Sequence, residues 1–356
     1  MIADKCFTNE WIMAQRDRMP NASANTIEKS IRAVALLERL AASDLPFVFK
    51  GGTCMMLHLQ ELRRLSVDID IVCTEGLARI TPVFDGIARQ KPFTRWDEDR
   101  RNPDRRPKRK HFRFYYDSHD ANNPAPFVLL DVVLEPMPHP FTERKPVALP
   151  FVETVTPPQV TVPTLNGLLG DKLTAFAPET VGVPYNPRLS QQIVKQMFDV
   201  GELFLVANNL DQVRQAHQEL FEAENGFRDH RYRLTQALDD SRQTALRVSQ
   251  MDLAGEEPWD PPRRQMLMAG IGAINVTLVR ETYTVAEARI SASRAALLAA
   301  LLRAGRSGPL APYRFVSERA RELPTTLGGH YAVLVPLREI AMEAFHNWHQ
   351  VGLLGL

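Results

Sequence analysis

Cysteine is scarce in this sequence: Cys6, Cys54 and Cys73 are the only three in 356 residues. Their spacing matches no zinc pattern, and an odd count argues against a disulfide framework. Net charge is nearly absent as well, at +1 from 43 basic and 42 acidic residues, so bulk charge selects no partner class and only local clusters can. No apolar run approaches the ~20 residues of a membrane-spanning helix. The first residues lack the basic-then-apolar pattern of a signal peptide, so the expected setting is the cytoplasm. There is no internal repeat and no low-complexity tail. The nine histidines are scattered; His346 and His349 share a helix face but no further ligand pattern accompanies them, so they read as surface or packing residues. What is left, 44% hydrophobic and 24% charged, is an ordinary globular composition, long enough for two domains or one large elaborated one.

Against that plain background one stretch stands out: Lys50-Gly51-Gly52-Thr53, and after a short helical segment Arg64-Leu65-Ser66-Val67-Asp68-Ile69-Asp70-Ile71. Phe47-Val48-Phe49 reads as a short buried strand entered at Pro46. The two glycines lack a Cβ, so the backbone can come close to something bulky and negative. Thr53 to Leu59 reads as a helix whose free N–H groups and positive dipole end face the glycine turn. Asp68 and Asp70 sit two apart on a strand, so both carboxylates leave one face while Val67, Ile69 and Ile71 face the core. Two such carboxylates repel unless a cation lies between them, and magnesium suits hard oxygen ligands and a triphosphate. Ser66 shares their face, where it would touch nucleotide phosphates or support the carboxylates. Arg64 is on that face too, either meeting phosphate or pairing with an acid. Taken singly, Asp-x-Asp fits a solvated edge strand and Gly-Gly a tight turn; it is the combination that favours metal and phosphate.

Elsewhere the pattern is coarser. Asn25 with Glu28 suggests a capping box, and Ile27, Ile31, Val34, Leu37 and Leu40 keep helical spacing. Leu77–Lys91 reads as a covering helix. Arg100 to Lys110 is strongly basic, with Pro103 and Pro107 excluding regular helix; a solvated loop and an acceptor-binding segment both remain open. His111–Tyr116 alternates as a strand. Phe127–Leu134 is a strand that is apolar except for Asp131, and a carboxylate there is costly unless paired or metal-bound; Glu135 falls on the same face near the exit. Residues 136–163 are proline-rich, with short extended pieces such as Val147–Val152. From Thr164 onward the reading is helical, with helices at Leu165–Leu173, Leu189–Ala207, Asp211–Glu224, Arg228–Gln250, Arg263–Thr282, Val285–Ala304, Pro312–Arg321 and Tyr331–His349.

The hydrophobic–Gly-Gly-Thr, spacer, Asp-x-Asp arrangement resembles the nucleotidyltransferase superfamily that includes DNA polymerase β. The narrower wording, Lys50-Gly51-Gly52-Thr53 then Arg64-x-Ser66-x-Asp68-Ile69-Asp70, resembles the AbiEii/AbiGii-type nucleotidyltransferase toxins of bacterial toxin–antitoxin and phage-defence systems. The resemblance is specific over residues 25–73 and recurs later. It implies that Asp131 is the third catalytic acid. It matches Lys172, in Lys172-Leu173-Thr174-Ala175, to the family's helical lysine, and Asp199, in Lys195-Gln196-Met197-Phe198-Asp199-Val200, to its following aspartate. Val200 stands where the family has leucine, and Pro178-Glu179 follow the first helix where an arginine is often found. Without the resemblance Lys172 would read as a solvated helix charge.

The expectation is therefore an α+β protein: a nucleotidyltransferase core with a mixed β-sheet flanked by helices in residues 1–135 (25–135 the specific match), a proline-rich crossing segment at 136–163, and a mostly helical C-terminal domain at 164–356 closing a cleft. Asp68, Asp70 and Asp131 would bind Mg2+; Lys50, Gly51, Gly52, Thr53, Arg64 and Ser66 would hold the NTP; Lys172 and Asp199 would join the catalytic set. The resemblance implies transfer of a nucleoside monophosphate to an acceptor hydroxyl, tRNA foremost, with pyrophosphate released and a separately encoded antitoxin as partner. Two other classes stand beside it: a small-molecule enzyme of the antibiotic-modifying kind, and a catalytically inactive nucleotide-binding interaction module, against which the intact carboxylate set argues.

Overall fold

The computed structural model describes residues 1–100, 108–120, 123, 125–256 and 259–355. The chain condenses into two units. Unit 1 comprises Met1–Met137, Thr142–Thr164 and Asn275–Thr282; unit 2 comprises Pro138–Phe141, Leu165–Ile274 and Tyr283–Leu356.

Unit 1 is α+β. In chain order it holds α1 (Asn9–Arg18), α2 (Ala24–Ala41), β1 (Val48–Lys50), α3 (Gly51–His58), β2 (Ile69–Val72), α4 (Leu77–Ala88), β3 (Phe93–Glu98), β4 (Arg109–Tyr116), β5 (Phe127–Val133), β6 (Thr142–Pro146) and β7 (Gln159–Pro163). Five strands form one mixed sheet in the order β1-β2-β5-β4-β3; β2 and β5 are parallel and the other pairings antiparallel. The alternation of the strands divides the sheet into two faces. One is apolar: Phe49, Ile69, Ile71, Phe112, Phe114, Val128, Leu130 and Val132 are all buried. Helices α2 and α4 cover it, and Phe84 of α4 meets Trp96, Phe112 and Phe114 edge-on, with centroids 5.5, 4.9 and 5.2 Å away. Such aromatic contacts add about 0.5–1.5 kcal/mol each beyond the area they bury. The other face carries Lys50, Asp70, His111 and Asp131.

Several local expectations change. Helix α1 and strand β3 were not foreseen. β3 is an edge strand with a register shift between Phe93 and Arg95, so it lacks the alternation that marks a half-buried strand. Helix α2 is capped by Ser23, whose hydroxyl accepts from the Thr26 amide at 3.0 Å, not by an Asn25/Glu28 box. Glu28 is buried and instead accepts from Ser118 Oγ at 2.7 Å and the His119 amide at 3.3 Å, and pairs with Arg32. Arg32 lies between the Phe7 and Tyr116 rings, and burial lowers its pKa. Within 136–163, β6 and β7 form a two-stranded antiparallel ribbon belonging to unit 1. Of the basic run, Arg101, Arg105 and Arg106 lie outside the described residues; Arg109 and Lys110 open β4, and Lys110 pairs with Glu98.

Unit 2 is helical: α5 (Leu165–Ala175), α6 (Ser190–Val206), α7 (Leu210–Gly226), α8 (Leu234–Gln250), α9 (Pro261–Ile274), α10 (Val285–Arg303), α11 (Leu337–Ile340) and α12 (Met342–Leu353). Helix α10 is buried along most of its length and packs against α6, α8 and α12. Close approach is needed in places: a Cβ on Gly170 would lie 2.8 Å from the His217 amide nitrogen. Four predicted helices end differently. Asp229 and His230 take positive φ, so α8 starts only at Leu234. The predicted Arg263–Thr282 helix stops at Ile274, and residues 275–282 join unit 1. The predicted Pro312–Arg321 and Tyr331–His349 helices are replaced by short 3-10 segments of three to six residues, α11, and α12 starting at Met342. Pro312, Pro324 and Pro336 each remove a backbone donor and interrupt the ladder there.

Candidate active site

The site of unit 1 starts at the end of β1. Gly51 has φ +81°, a conformation other residues rarely adopt. A Cβ on Gly51 would sit 2.1 Å from Asp70 Oδ2; one on Gly52 would sit 2.7 Å from Arg64 Nη2 and 2.9 Å from Ser66 Oγ. The Gly51-Gly52 backbone is thus pinched between Asp70 on one side and Arg64 and Ser66 on the other. Helix α3 begins at Gly51, so its free N–H groups open at this point.

The segment bearing Arg64 and Ser66 is tied down by backbone contacts. The Leu65 amide donates to Thr277 O at 2.7 Å and the Val279 amide to Arg63 O at 3.0 Å. Ser30 Oγ donates to Ser66 O at 2.9 Å. The Arg64 guanidinium is buried and donates to Leu65 O at 3.2 Å. Thr53 differs from expectation. It is fully buried and its hydroxyl donates to Asp68 O at 2.6 Å, so its side chain fastens α3 to the aspartate strand and does not line the cradle.

The strand register then sets a row of charges. Lys50 is opposite Asp70, Asp70 opposite Asp131, and Asp131 opposite His111. Directly opposed residues share a face, so Lys50, Asp70, Asp131 and His111 form one line across β1, β2, β5 and β4. Neighbouring strands are about 4.8 Å apart, so the line spans roughly 14 Å. Asp68 lies two residues before Asp70, just ahead of β2. Its Oδ1 is 3.7 Å from Lys29 Nζ, which itself lies over the Phe127 ring at 5.3 Å. His111 Nδ1 is 2.5 Å from Asp131 Oδ1. Glu135 lies past the end of β5 at Val133 and is not part of the row. Lys29 and His111 were not among the sequence candidates: neither has a local signal, because each meets its aspartate only through tertiary pairing.

Among the described residues no group of three or more His, Cys, Asp or Glu side chains forms a complete metal cage. That is compatible with magnesium, which commonly takes one or two carboxylates and fills its shell with water and substrate phosphate oxygens. The all-oxygen Asp70–Asp131 pair, side by side in parallel register, has the right donor chemistry for that role.

Unit 2 has a charged pair of its own. Lys172 Nζ of α5 is 2.8 Å from Asp199 Oδ2 of α6 and donates to Gln196 Oε1 at 3.3 Å. Lys172 is 5% exposed and Asp199 0%, so Lys172 is not the solvated helix charge that its local sequence suggests. Nearby, Thr174 Oγ1 is 2.8 Å from Nδ1 of the buried His217, whose pKa is lowered to about 4 by burial.

These features agree with a family model, "Nucleotidyl transferase AbiEii toxin, Type IV TA system", which matches residues 35–270, about two-thirds of the chain, and spans both the row and the Lys172–Asp199 pair. The chain belongs to the AbiEii nucleotidyltransferase toxin family. It is therefore an enzyme that transfers nucleotidyl groups, of a superfamily that typically uses a divalent metal. Among solved structures it is similar to MenT4, a nucleotidyltransferase toxin from Mycobacterium tuberculosis, with TM-score 0.50 and 14% identity over 81% of this chain and 89% of that one. It is also similar to JHP933 from Helicobacter pylori, with TM-score 0.42 and 12% identity over 85% of this chain and 94% of that one. At 14% identity the likeness to MenT4 concerns the fold alone. No curated protein matches. Among the described residues no helix of this AbiEii-family toxin is long and apolar enough to cross a membrane.

Proposed function

We propose that this toxin transfers a nucleoside monophosphate from an NTP to a hydroxyl of an RNA acceptor, tRNA foremost, in the cytoplasm. The single observation that supports the reading is the charge row beside the pinched Gly51-Gly52 turn. The turn, with Arg64 and Ser66, offers backbone and side-chain donors to the triphosphate; Asp68, Asp70 and Asp131 offer oxygens to Mg2+. A bound divalent ion would neutralise triphosphate charge and lower the pKa of the attacking hydroxyl. The acceptor oxygen forms a bond to Pα as the Pα–O bond to the β-phosphate breaks. Pyrophosphate leaves with that electron pair, and the hydroxyl proton passes to Asp131. What the chain supplies is positioning and charge stabilisation. Lys172 and Asp199 are assigned to the same reaction by their match to the family pattern. A cognate antitoxin and a role in phage defence complete the proposal.

The test is incubation with α-labelled NTPs, Mg2+ and total RNA. Label in a tRNA-sized band, lost with Mg2+ chelation and in Asp68→Ala and Asp70→Ala, is the expected result. Labelling of a small molecule and no RNA, or full activity of either variant, would overturn it.

A further inference from the structure

We propose that His111 is a positioning residue for Asp131, an inference that rests on the carboxylate reading above. The two side chains are directly opposed on antiparallel β4 and β5, and Nδ1 lies 2.5 Å from Oδ1. An ionised carboxylate can only accept, so the proton of this bond is on Nδ1. The strand beneath it is fixed on both sides: β4 is paired with β5, and the His111 carbonyl accepts from the Asp99 amide at 2.8 Å. The side chains are 20% and 29% exposed, open enough to meet a substrate yet backed by sheet.

The consequence is geometric. A carboxylate can turn about its last bond and present either oxygen. The Nδ1–H of His111 takes Oδ1 and sets the plane of the group, so Oδ2 is directed to the reacting centre as a single ligand oxygen. Its neighbours are restrained from their own sides: Asp70 Oδ2 is tucked against Gly51, and Asp68 Oδ1 faces Lys29. His111 holds the member of the set expected to stand beside the attacking hydroxyl. Removing the outer partner of a metal-ligating group typically lowers metal affinity or activity 10–100-fold.

Three variants separate positioning from packing. His111→Ala removes the donor. His111→Phe keeps the ring volume without a donor. His111→Asn keeps an N–H close to the place of Nδ1. We expect His111→Ala and His111→Phe to lower kcat about 10–100-fold with KM for NTP within about threefold. They should weaken Mn2+ binding, followed by electron paramagnetic resonance without NTP, by a similar factor. His111→Asn should recover most of both. In Asp131→Asn, adding His111→Ala should cause little further loss, and 15N NMR should show the Nδ1–H tautomer of His111 in the wild type but not in Asp131→Ala, which has no acceptor. Wild-type kcat and Mn2+ affinity in His111→Ala would overturn the inference. So would His111→Asn behaving no better than His111→Phe, since the loss would then be packing. Asp68→Ala and Asp70→Ala run alongside: if they stay active, the carboxylate reading itself fails, whereas their inactivity with a normal His111→Ala overturns this inference alone.

Discussion

Replacing Lys172 by methionine keeps the length of the side chain and removes its charge. Its partner Asp199 is 0% exposed and 2.8 Å away, so the variant leaves a carboxylate buried without its lysine. Breaking a buried ion pair in this way costs about 3–5 kcal/mol. At a urea slope of about 2 kcal/mol per molar, this lowers the unfolding midpoint of unit 2 by roughly 1.5–2.5 M. The double variant Lys172→Met/Asp199→Val removes both charges with a smaller change in volume than Asp199→Leu would bring, and replacing a buried pair by apolar residues of similar volume is often neutral or stabilising by about 1–4 kcal/mol. The midpoint should therefore return in the double variant, a strongly non-additive cycle. Activity should not return with it. If Lys172 supplies charge to the reaction, the stable double variant should remain slower by about 10²-fold or more, the usual loss for one electrostatic stabiliser. Urea titrations followed by circular dichroism and single-turnover transfer assays measure the two effects independently. A loss below about 1 kcal/mol in Lys172→Met would refute the reasoning from burial. Wild-type transfer by a stable double variant would show that the pair serves only the fold.

Gly51→Ala should abolish transfer at modest cost in stability: positive φ costs an alanine about 1–2 kcal/mol, whereas its Cβ, 2.1 Å from Asp70 Oδ2, displaces a site carboxylate. Near-normal activity in a folded Gly51→Ala would remove the cradle assignment. Asp240 carries a pH dependence. Burial raises its carboxyl from 3.8 to about 7, against donation from Thr180 Oγ1 and the Glu179 amide. The folded state then holds a proton that the unfolded state has lost, so this group's contribution is greatest below about pH 4, falls as pH rises to about 7 and is flat above, by at most ~4 kcal/mol. Asp240→Asn should flatten the stability profile between pH 4 and 7, read as urea midpoints at pH 5 and 8; an unchanged difference between the two would reject the raised carboxyl. Neutralising Arg105, Arg106, Lys108 and Arg109 together should weaken RNA binding and reduce its salt slope by about 0.7 for each lost phosphate contact to a single strand, leaving NTP binding in place. An unaltered salt slope would exclude the basic run from the acceptor site.

Much of the site was legible because its signals are local. Gly51-Gly52 announces a backbone that comes close to something. Asp68 and Asp70 share a face by period-two alternation. The unbroken apolar stretch around Asp131 makes its carboxylate conspicuous. The helical reading of unit 2 held wherever apolar spacing was sustained, as in α6, α7 and α10. It failed where 3-10 turns and proline interruptions follow one another after residue 310, and at residues 275–282, whose conformation depends on pairing with Arg63–Leu65 far away in the chain. Strand β3 was hidden because a bulged edge strand is under little pressure to alternate. The Asn25/Glu28 box was a legitimate local pattern displaced by a better use of Glu28 against the turn at Ser118–His119.

The sequence by itself determined the family and the α+β character, and it singled out Asp68, Asp70 and Asp131 as candidates, since these follow from residue type and short spacing. Only the tertiary structure decided that Lys50, Asp70, Asp131 and His111 stand in one line, because register across four strands is set by non-local pairing and by which face each strand buries. The same holds for Lys29 at Asp68 and for the desolvated Lys172–Asp199 pair. A lysine's surroundings, and therefore whether its charge is solvated or locked to one partner, depend on which helices pack around it, and no window of neighbouring residues contains that information.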